Sequence, residues 1–584
     1  MKVLRGRREG IALVLVFVVL LAVATLVGTA SIVGSSSRVM TQQEERLGSI
    51  LAAADAGLEE GRSLLNGDKT LYPDSNYVTL ENGVTVTDAA GQKLAGLRRW
   101  TWAGPTGITT GQYGVFGSIV TVVEDANGDR FVRREEVFQE SFAKYAYFTD
   151  IDYSAGIVFG GGDQLFGPVH SNDQIAIHSS GATFHSTVTT HKDIVGKGYG
   201  TFHDKVTEYG PYIPMPATTD LNKLRNYAIA GGTRIVSNAN GGADQAETRI
   251  EFIAIDLNGD GFANGPNEGF FRIYQSANEA WVSGDVPGGG LTASQNCGDV
   301  HSTHGDLFRA APGHGGGAHT TPLGSLQAST RRCYLGGSDE LFGAFQAADL
   351  VGPGQWLPWT GAVDSALQAL NRPDEPYLWP LDRGSNPNFK GVIFIDGKAV
   401  VSGVVRGRIT IASTDNIIIG DDFRYATNPG SGSCADIVGL FSGTDIVVAD
   451  NAINSAIQPS GSGTYYTYDD TKDEFIDSIV LALDNFTAQN YNSGSTSAQP
   501  CGTTLWGRGC LFLTGGIIQR QRGAVGTTGG TGYLKRYDYD RCAYTDPPPY
   551  FPTTGHFAQG RYFEVDPRGF NVGGYFKLLS GITP

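Results

Sequence analysis

The hydrophobic pattern of the chain changes kind twice. From Ile11 to Val33 every position is apolar or small, and no charge falls between Gly10 and Ser37. As a helix the run Ile11–Val33 spans about 35 Å, enough to cross a bilayer. Beyond Arg38 the pattern becomes periodic. Leu47, Ile50, Leu51, Ala54 and Leu58 recur at i, i+3, i+4, i+7 and i+11, which is one face of a helix. No proline interrupts residues 11–66, and Asn66-Gly67 is a helix stop. The economical reading is one helix over 11–66, half apolar all round and half amphipathic.

A period of two follows. "YVTLENGVTVTD" alternates apolar and polar residues around Asn82-Gly83, a hairpin signal. "YGVFGSIVTVVED" and "RFVRREEVFQES" continue it across Asp125, Asn127 and Asp129, which read as a second turn. Residues 67–145 are therefore expected to form a small antiparallel sheet. From 146 to 545 the apolar runs shorten to three to six residues, centred on Ile157–Phe159, Ile175–Ile177, Phe184, Ile393, Val400, Ile409, Ile418, Val438 and Val447, and Gly, Asp or Asn repeatedly follows. Such runs cannot bury a face alone, but stacked as rungs they would share one core. The pattern predicts a β-solenoid-like domain, with a sandwich as the other reading, and an elaboration at 210–390. Within that elaboration "TTDLNKLRNYAIA" predicts a short helix, with Asp220 in its first turn and Leu221, Leu224 and Ala228 on one face.

Composition sharpens this picture. Glycine reaches 81 of 584 residues, charged residues are only 17%, and the net charge is −16. Tight turns between short strands explain the first, and the uncharged N-terminal run explains part of the second. The acidity argues against a surface built for nucleic acid as a whole. Lys2, Arg5, Arg7 and Arg8 precede the apolar run, which places them in the cytoplasm and everything after Arg38 outside. A cleaved secretory signal, with an apolar core of about 7–15 residues and small residues such as those in Ala24–Ser31, is the competing reading.

The leader, Gly10, the apolar helix and "TQQEERLGSILAAADAGLEEGRSLL" together resemble the N-terminus of PilX-type type IV pilin-like proteins. The matching motif is Glu45-Arg46 with Ala53-Ala54-Asp55-Ala56-Gly57-Leu58. The resemblance implies a leader at 1–10, removed by a prepilin peptidase between Gly10 and Ile11. The fifth residue of the mature chain is then Leu15, where major pilins usually carry Glu, a departure from the family pattern that some minor pilins share and that bears against autonomous polymerisation. "GVIFIDG", "VSGVVRGRITIAS", "GGIIQRQRGAVGT" and "PPPYFPTTG" resemble large pilin-like proteins of the ComZ competence type, in which a β-solenoid is inserted into the pilin fold. That resemblance implies an α+β fold, with "RYFEVD" (Arg561–Asp566) in a closing strand at 546–584.

Candidate sites are few. Asp256, Asn258 and Asp260 sit at alternate positions before Gly261, as in a calcium loop, with Glu268 one place beyond the usual last ligand. Bound Ca2+ is the one cofactor expected. Six cysteines outside the membrane favour disulfides. Sequence proximity suggests Cys501 with Cys510 and Cys297 with Cys333, leaving Cys434 with Cys542. Cys297, His301, His304, His314 and His319 lack a CxxC partner and read as loop residues rather than a zinc site. Arg520, Arg522, Tyr533, Lys535, Arg536 and Tyr537 interleave cations and rings, a weak pattern for single-stranded nucleic acid. HExxH, GxSxG and GxxxxGK[ST] motifs are absent, and no nucleophile–base pair is legible, so no enzyme is expected.

The functional expectation is a minor pilin-like subunit of a type IV pilus or related filament, serving assembly, adhesion or DNA uptake. It would sit in the inner membrane as a single-pass protein and at the pilus or cell surface after assembly. Its partners would be the membrane, other pilin-like subunits, the prepilin peptidase, and DNA or a surface ligand. A membrane-anchored polysaccharide-acting enzyme and an envelope protein unrelated to pili are the alternatives.

Overall fold

The structure, a computed structural model, describes residues 9–73, 75–88, 90–107, 114–153, 156–237, 248–260, 262–275, 280–281, 333–334, 355–370, 375–448, 473–489, 491–492 and 499–581. It divides into two units, one comprising Met1–Ile108, Phe116–Phe138 and Gly555–Pro584 and the other Thr109–Val115 and Gln139–Thr554.

The first unit is built on α1 (Glu9–Gly67), a single helix of 59 residues. At 1.5 Å per residue it is about 88 Å long. Its apolar half, Ile11–Val33, is exposed throughout. The hydroxyls there do not interrupt it, because they bond back to their own helix. Thr25 donates to the Leu21 carbonyl at 2.9 Å and Thr29 to the Thr25 carbonyl at 2.9 Å. That is how polar side chains are satisfied where water is absent.

The second half of α1 buries Ile50, Ala53, Ala54, Leu58 and Leu65 against an antiparallel sheet. Gly57 and Gly61 are contact points rather than weaknesses. A Cβ at Gly57 would lie 2.6 Å from Thr121, and one at Gly61 would lie 2.9 Å from Ile119. The sheet runs β1 (Val78–Thr87), β2 (Lys93–Pro105), β3 (Phe116–Glu124), β4 (Arg130–Ser141), then the closing strand Thr553–Val565 as its fifth member. Its other face carries the C-terminal helix Val572–Ser580 through Phe576 and Leu579, packed with Val120, Val122 and Val132.

One expected turn is not a turn. Asn82-Gly83 lies inside β1, where the register against β2 slips between Glu81↔Thr101 and Val84↔Arg99. It is a β-bulge, with Gly83 at φ +64° supplying the left-handed residue. The β1–β2 turn lies instead at Asp88–Gln92. The Asp125–Asp129 turn does connect β3 to β4. Asp125 accepts from the Asn127 and Asp129 amides at 2.9 and 3.0 Å, and Arg46 of α1 reaches both Asp125 and Asp129.

Glu135 of β4 is fully buried, and neither carboxylate oxygen accepts a hydrogen bond. Arg62 lies 3.7 Å away, yet burial pushes the carboxyl up to about 7 from 4.5. Between those values the folded chain holds a proton that the unfolded chain has lost. Stability therefore falls as pH rises from about 4.5 to about 7. Glu135→Gln removes this loss. Its melting temperature should exceed the parent's at pH 8 by about 2–6 °C, an effect of about 1–2 kcal/mol, and should match the parent's near pH 4.5. Equal melting temperatures at both pH values would refute this.

The second unit is mostly short parallel strands in columns. One column runs, in spatial order, Arg234–Val236, Val392–Asp396, Arg408–Ser413, Ile437–Ser442, Glu474–Ala482, Cys510–Gln521, Tyr147–Ile151, Val169–Ser171, Val188–Thr190 and Val206–Thr207. A second column holds Thr248–Ala254, Ala399–Val405, Ile417–Tyr425, Ile446–Val448 and Phe486–Ala488. A third holds Leu534–Tyr539, Asp163–Leu165, Ala182–Phe184 and Gly200–Phe202. Ile393, Val400, Ile409, Ile418, Val438 and Val447 all fall in such strands, whereas Ile157–Phe159 contributes only an isolated bridge from Phe159 to Ile177.

Sequence order and spatial order differ in the first column. Its first strand in sequence, Tyr147–Ile151, pairs with its last, Cys510–Gln521. The chain therefore joins and leaves the column at one seam in mid-stack. Residues 208–233 carry it from one end of the column to the other, roughly 40 Å at about 4.8 Å per strand. The crossing includes α2 (Thr218–Gly231). Asp220 caps it by accepting from the Ala217 amide at 3.0 Å, and its buried Leu221, Leu224 and Ala228 cover Phe148, Val392, Phe394 and Ala412. Alternate residues of the same strands, Ile393, Ile411, Val438, Leu440 and Ile517, point into the main core. Both faces of this column are thus buried, which is why its strands read as unbroken apolar runs. Glycine serves the close approaches between strands. Gly403 has φ +100°, and a Cβ there would lie 2.2 Å from the Phe252 carbonyl oxygen.

Candidate functional site

Four sites expected from the sequence, and one that was not, can be placed in whole or in part. The processing site Gly10–Ile11 lies in the first turns of α1, continuous with the exposed apolar surface Ile11–Val33. Lys2, Arg5, Arg7 and Arg8 lie outside the described residues, which begin with Glu9 and Gly10 at the start of the helix.

The loop after the strand Thr248–Ala254 satisfies itself. Asp256 accepts from the Gly259 amide at 2.7 Å, Asn258 from the Asp260 amide at 2.8 Å, and Asp260 from the Phe262 amide at 2.9 Å. Glu268 turns inward, 1% exposed, and accepts from the Leu257 amide at 2.9 Å and from the Gly265 amide. These are successive Asx turns closed by a buried carboxylate. Among the described residues no group of three His, Cys, Asp or Glu side chains is placed to hold a metal.

Cys501 pairs with Cys510, and Cys434 with Cys542. Cys297 and the histidines at 301, 304, 314 and 319 lie outside the described residues, as does the side chain of Cys333.

The basic-aromatic stretch does not form one surface. Arg522 is 4% exposed, ion-paired with Asp152 at 3.1 Å and seated 3.7 Å over the Phe159 ring. Tyr533 is buried and donates to Glu474 at 3.3 Å, and Lys535 pairs with Asp163 at 3.3 Å. Tyr537 is half-buried, which leaves Arg520 and Arg536 as the exposed members. The interleaving arises because alternate strand residues point inward, and some of the inward ones here are charged and paired.

The site that was not expected is a cleft of about 430 Å³ on the β unit. It begins where Ile417–Tyr425 slips against Ala399–Val405, between Val401↔Ile419 and Gly403↔Phe423. The slip inserts extra residues at 420–422, a bulge that holds Asp422 at the cleft wall. Past it Phe423 pairs with Ile476, Phe475 with Phe512 and Asp477 with Thr514. Phe475 and Phe512 stack at 4.8 Å, and the Arg424 guanidinium lies 4.7 Å over Phe475. Asp422 accepts from the Phe475 amide at 2.9 Å and Asp477 from the Tyr425 amide at 3.0 Å. Burial pushes the Asp422 carboxyl up to about 7, with Asp477 and Asp473 adding repulsion and Arg424 opposing it. Burial raises the Asp477 carboxyl as well. In sequence the only trace is "GDDFRY", two carboxylates breaking an apolar run.

No family model and no curated protein matches this sequence. Among solved structures the chain is similar to the competence-associated pilin ComZ from Thermus thermophilus, with 10% identity and a TM-score of 0.25, over 88% of this chain and 96% of that one.

Proposed function

We infer that the chain is a minor pilin-like subunit of a type IV pilus or related filament. The observation that supports this is α1, one helix whose first half exposes only apolar and small residues and whose second half is bound to an antiparallel sheet closed by a C-terminal strand. Such a helix needs lipid before assembly and the helices of other pilin-like subunits afterwards. In this reading the β unit, a solenoid-like stack of parallel strands, is exposed for assembly, adhesion or DNA uptake. An enzyme or an unrelated envelope protein anchored by a simple span would need no amphipathic continuation of the span onto a sheet. Prepilin peptidase is the expected processing partner. Gly10→Val should leave the full-length precursor in the membrane fraction. A Gly10→Val chain trimmed like the parent would contradict the reading.

A further inference from the structure

The cleft beside the Asp422 bulge has the chemistry of a ligand site, and that chemistry is selective. Its floor is the paired rings of Phe475 and Phe512, both half-buried. With the ring faces turned toward each other, the exposed edges carry the positive end of the quadrupole and suit oxygen. Around the floor stand two carboxyls, Asp422 and Asp477, the Arg424 guanidinium, the Thr514 hydroxyl and the Asn428 amide. Donors and acceptors over an apolar floor match a molecule with hydroxyls on its rim and C–H bonds on its faces. The outward row does not stop at the cleft. Phe512 pairs onward with Arg536 and Thr514 with Asp538, both exposed. An open-ended row suits a polymer better than a compact metabolite. Its spacing, about 4.8 Å per strand, is close to the length of one hexose in an extended β-linked chain.

We propose that this cleft binds an uncharged glycan chain, laid across the parallel strands with hydroxyl oxygens against the ring edges of Phe475 and Phe512 and further hydroxyls on Asp422, Asp477 and Arg424. A polyanion fits poorly, because Asp422 and Asp477 line the cleft, Asp473 adds its repulsion at Asp422, and Arg424 is the cation that acts on Asp422 and Asp477. The raised Asp422 carboxyl supports a neutral ligand, since near pH 7 it is partly protonated and can both donate and accept. The inference stands on the β unit and does not depend on the pilin-like reading.

The test uses the full chain in a detergent without a sugar headgroup. It is titrated with β-linked hexamers of glucose, galactose, mannose and N-acetylglucosamine, and with a single-stranded oligodeoxynucleotide. At least one hexamer should bind with a Kd between about 10 μM and 1 mM. Phe512→Ala and Asp477→Asn should each weaken it about tenfold or more. Arg424→Gln, at an exposed position, gives a third reading should Phe512→Ala fail to fold. Three results would overturn the proposal: no hexamer binding at millimolar concentration, binding that survives all the folded variants, or oligonucleotide binding that is lost in those variants.

Discussion

Arg522→Ala should destabilise the β unit by about 3–5 kcal/mol in urea unfolding of the purified chain. Arg520→Ala, two residues away, should change it by less than about 0.5 kcal/mol. The difference follows from where each side chain lies. Arg522 is enclosed at the seam where Cys510–Gln521 meets Tyr147–Ile151, and its guanidinium neutralises Asp152, which is itself fully buried. Asp152 also accepts from Thr149 at 2.9 Å and from Tyr147 at 3.3 Å. Burial already raises the Asp152 carboxyl with Arg522 beside it. Without the cation the carboxylate must take up a proton or leave the core. Arg520 is exposed on the same strand. If these residues served to bind phosphates, both substitutions would lower nucleic-acid affinity and neither would affect folding. Equal, small stability losses at 520 and 522 would refute the seam account.

The Cys434–Cys542 bond should be worth more than the Cys501–Cys510 bond, although the two look alike in isolation. The first closes a span of 108 residues and the second a span of 9. Cross-linking removes more disorder from an unfolded chain when the loop is long. Cys434→Ser should therefore cost about 3–4 kcal/mol and Cys501→Ser nearer 2 kcal/mol. Position reinforces the arithmetic. Cys542 lies just after the strand Leu534–Tyr539, where the chain leaves the stack, and the bond ties that exit to the turn before the strand Ile437–Ser442. Paired unfolding curves of the two variants decide the order. A larger loss at Cys501 would contradict it.

These cases show which parts of the molecule are legible in the sequence. The helix is, because its first part is an uncharged run long and apolar enough to cross a membrane and its continuation repeats at 3.6 residues. The short strands are as well, because both of their faces are buried and the runs Val392–Ile395 and Ile437–Leu440 contain no polar side chain. Register is not. Asn82-Gly83 has the residues of a hairpin turn, yet β1 accommodates them as a bulge because the strand continues to pair with β2 on both sides. Nor is the order of strands, since Tyr147–Ile151 meets Cys510–Gln521 only after the chain has traversed the whole column. The cleft belongs to the same class. Asp422, Phe475 and Phe512 are far apart in sequence and become neighbours through the pairings Phe423↔Ile476 and Phe475↔Phe512. Arg522 misleads because a charged residue just past the end of a strand is expected to face outward, and this one has a buried partner from the opposite end of the unit's sequence.

The central claim is that α1 is a pilin-like helix rather than a plain anchor or a secretion signal. Intact-mass and N-terminal measurement of the chain purified from its native membranes or filaments tests this most directly. The account predicts a mature chain that begins at Ile11, with residues 1–10 removed and the apolar run Ile11–Val33 intact. A chain that still carries its first ten residues, or one that begins beyond Ala30, would contradict it.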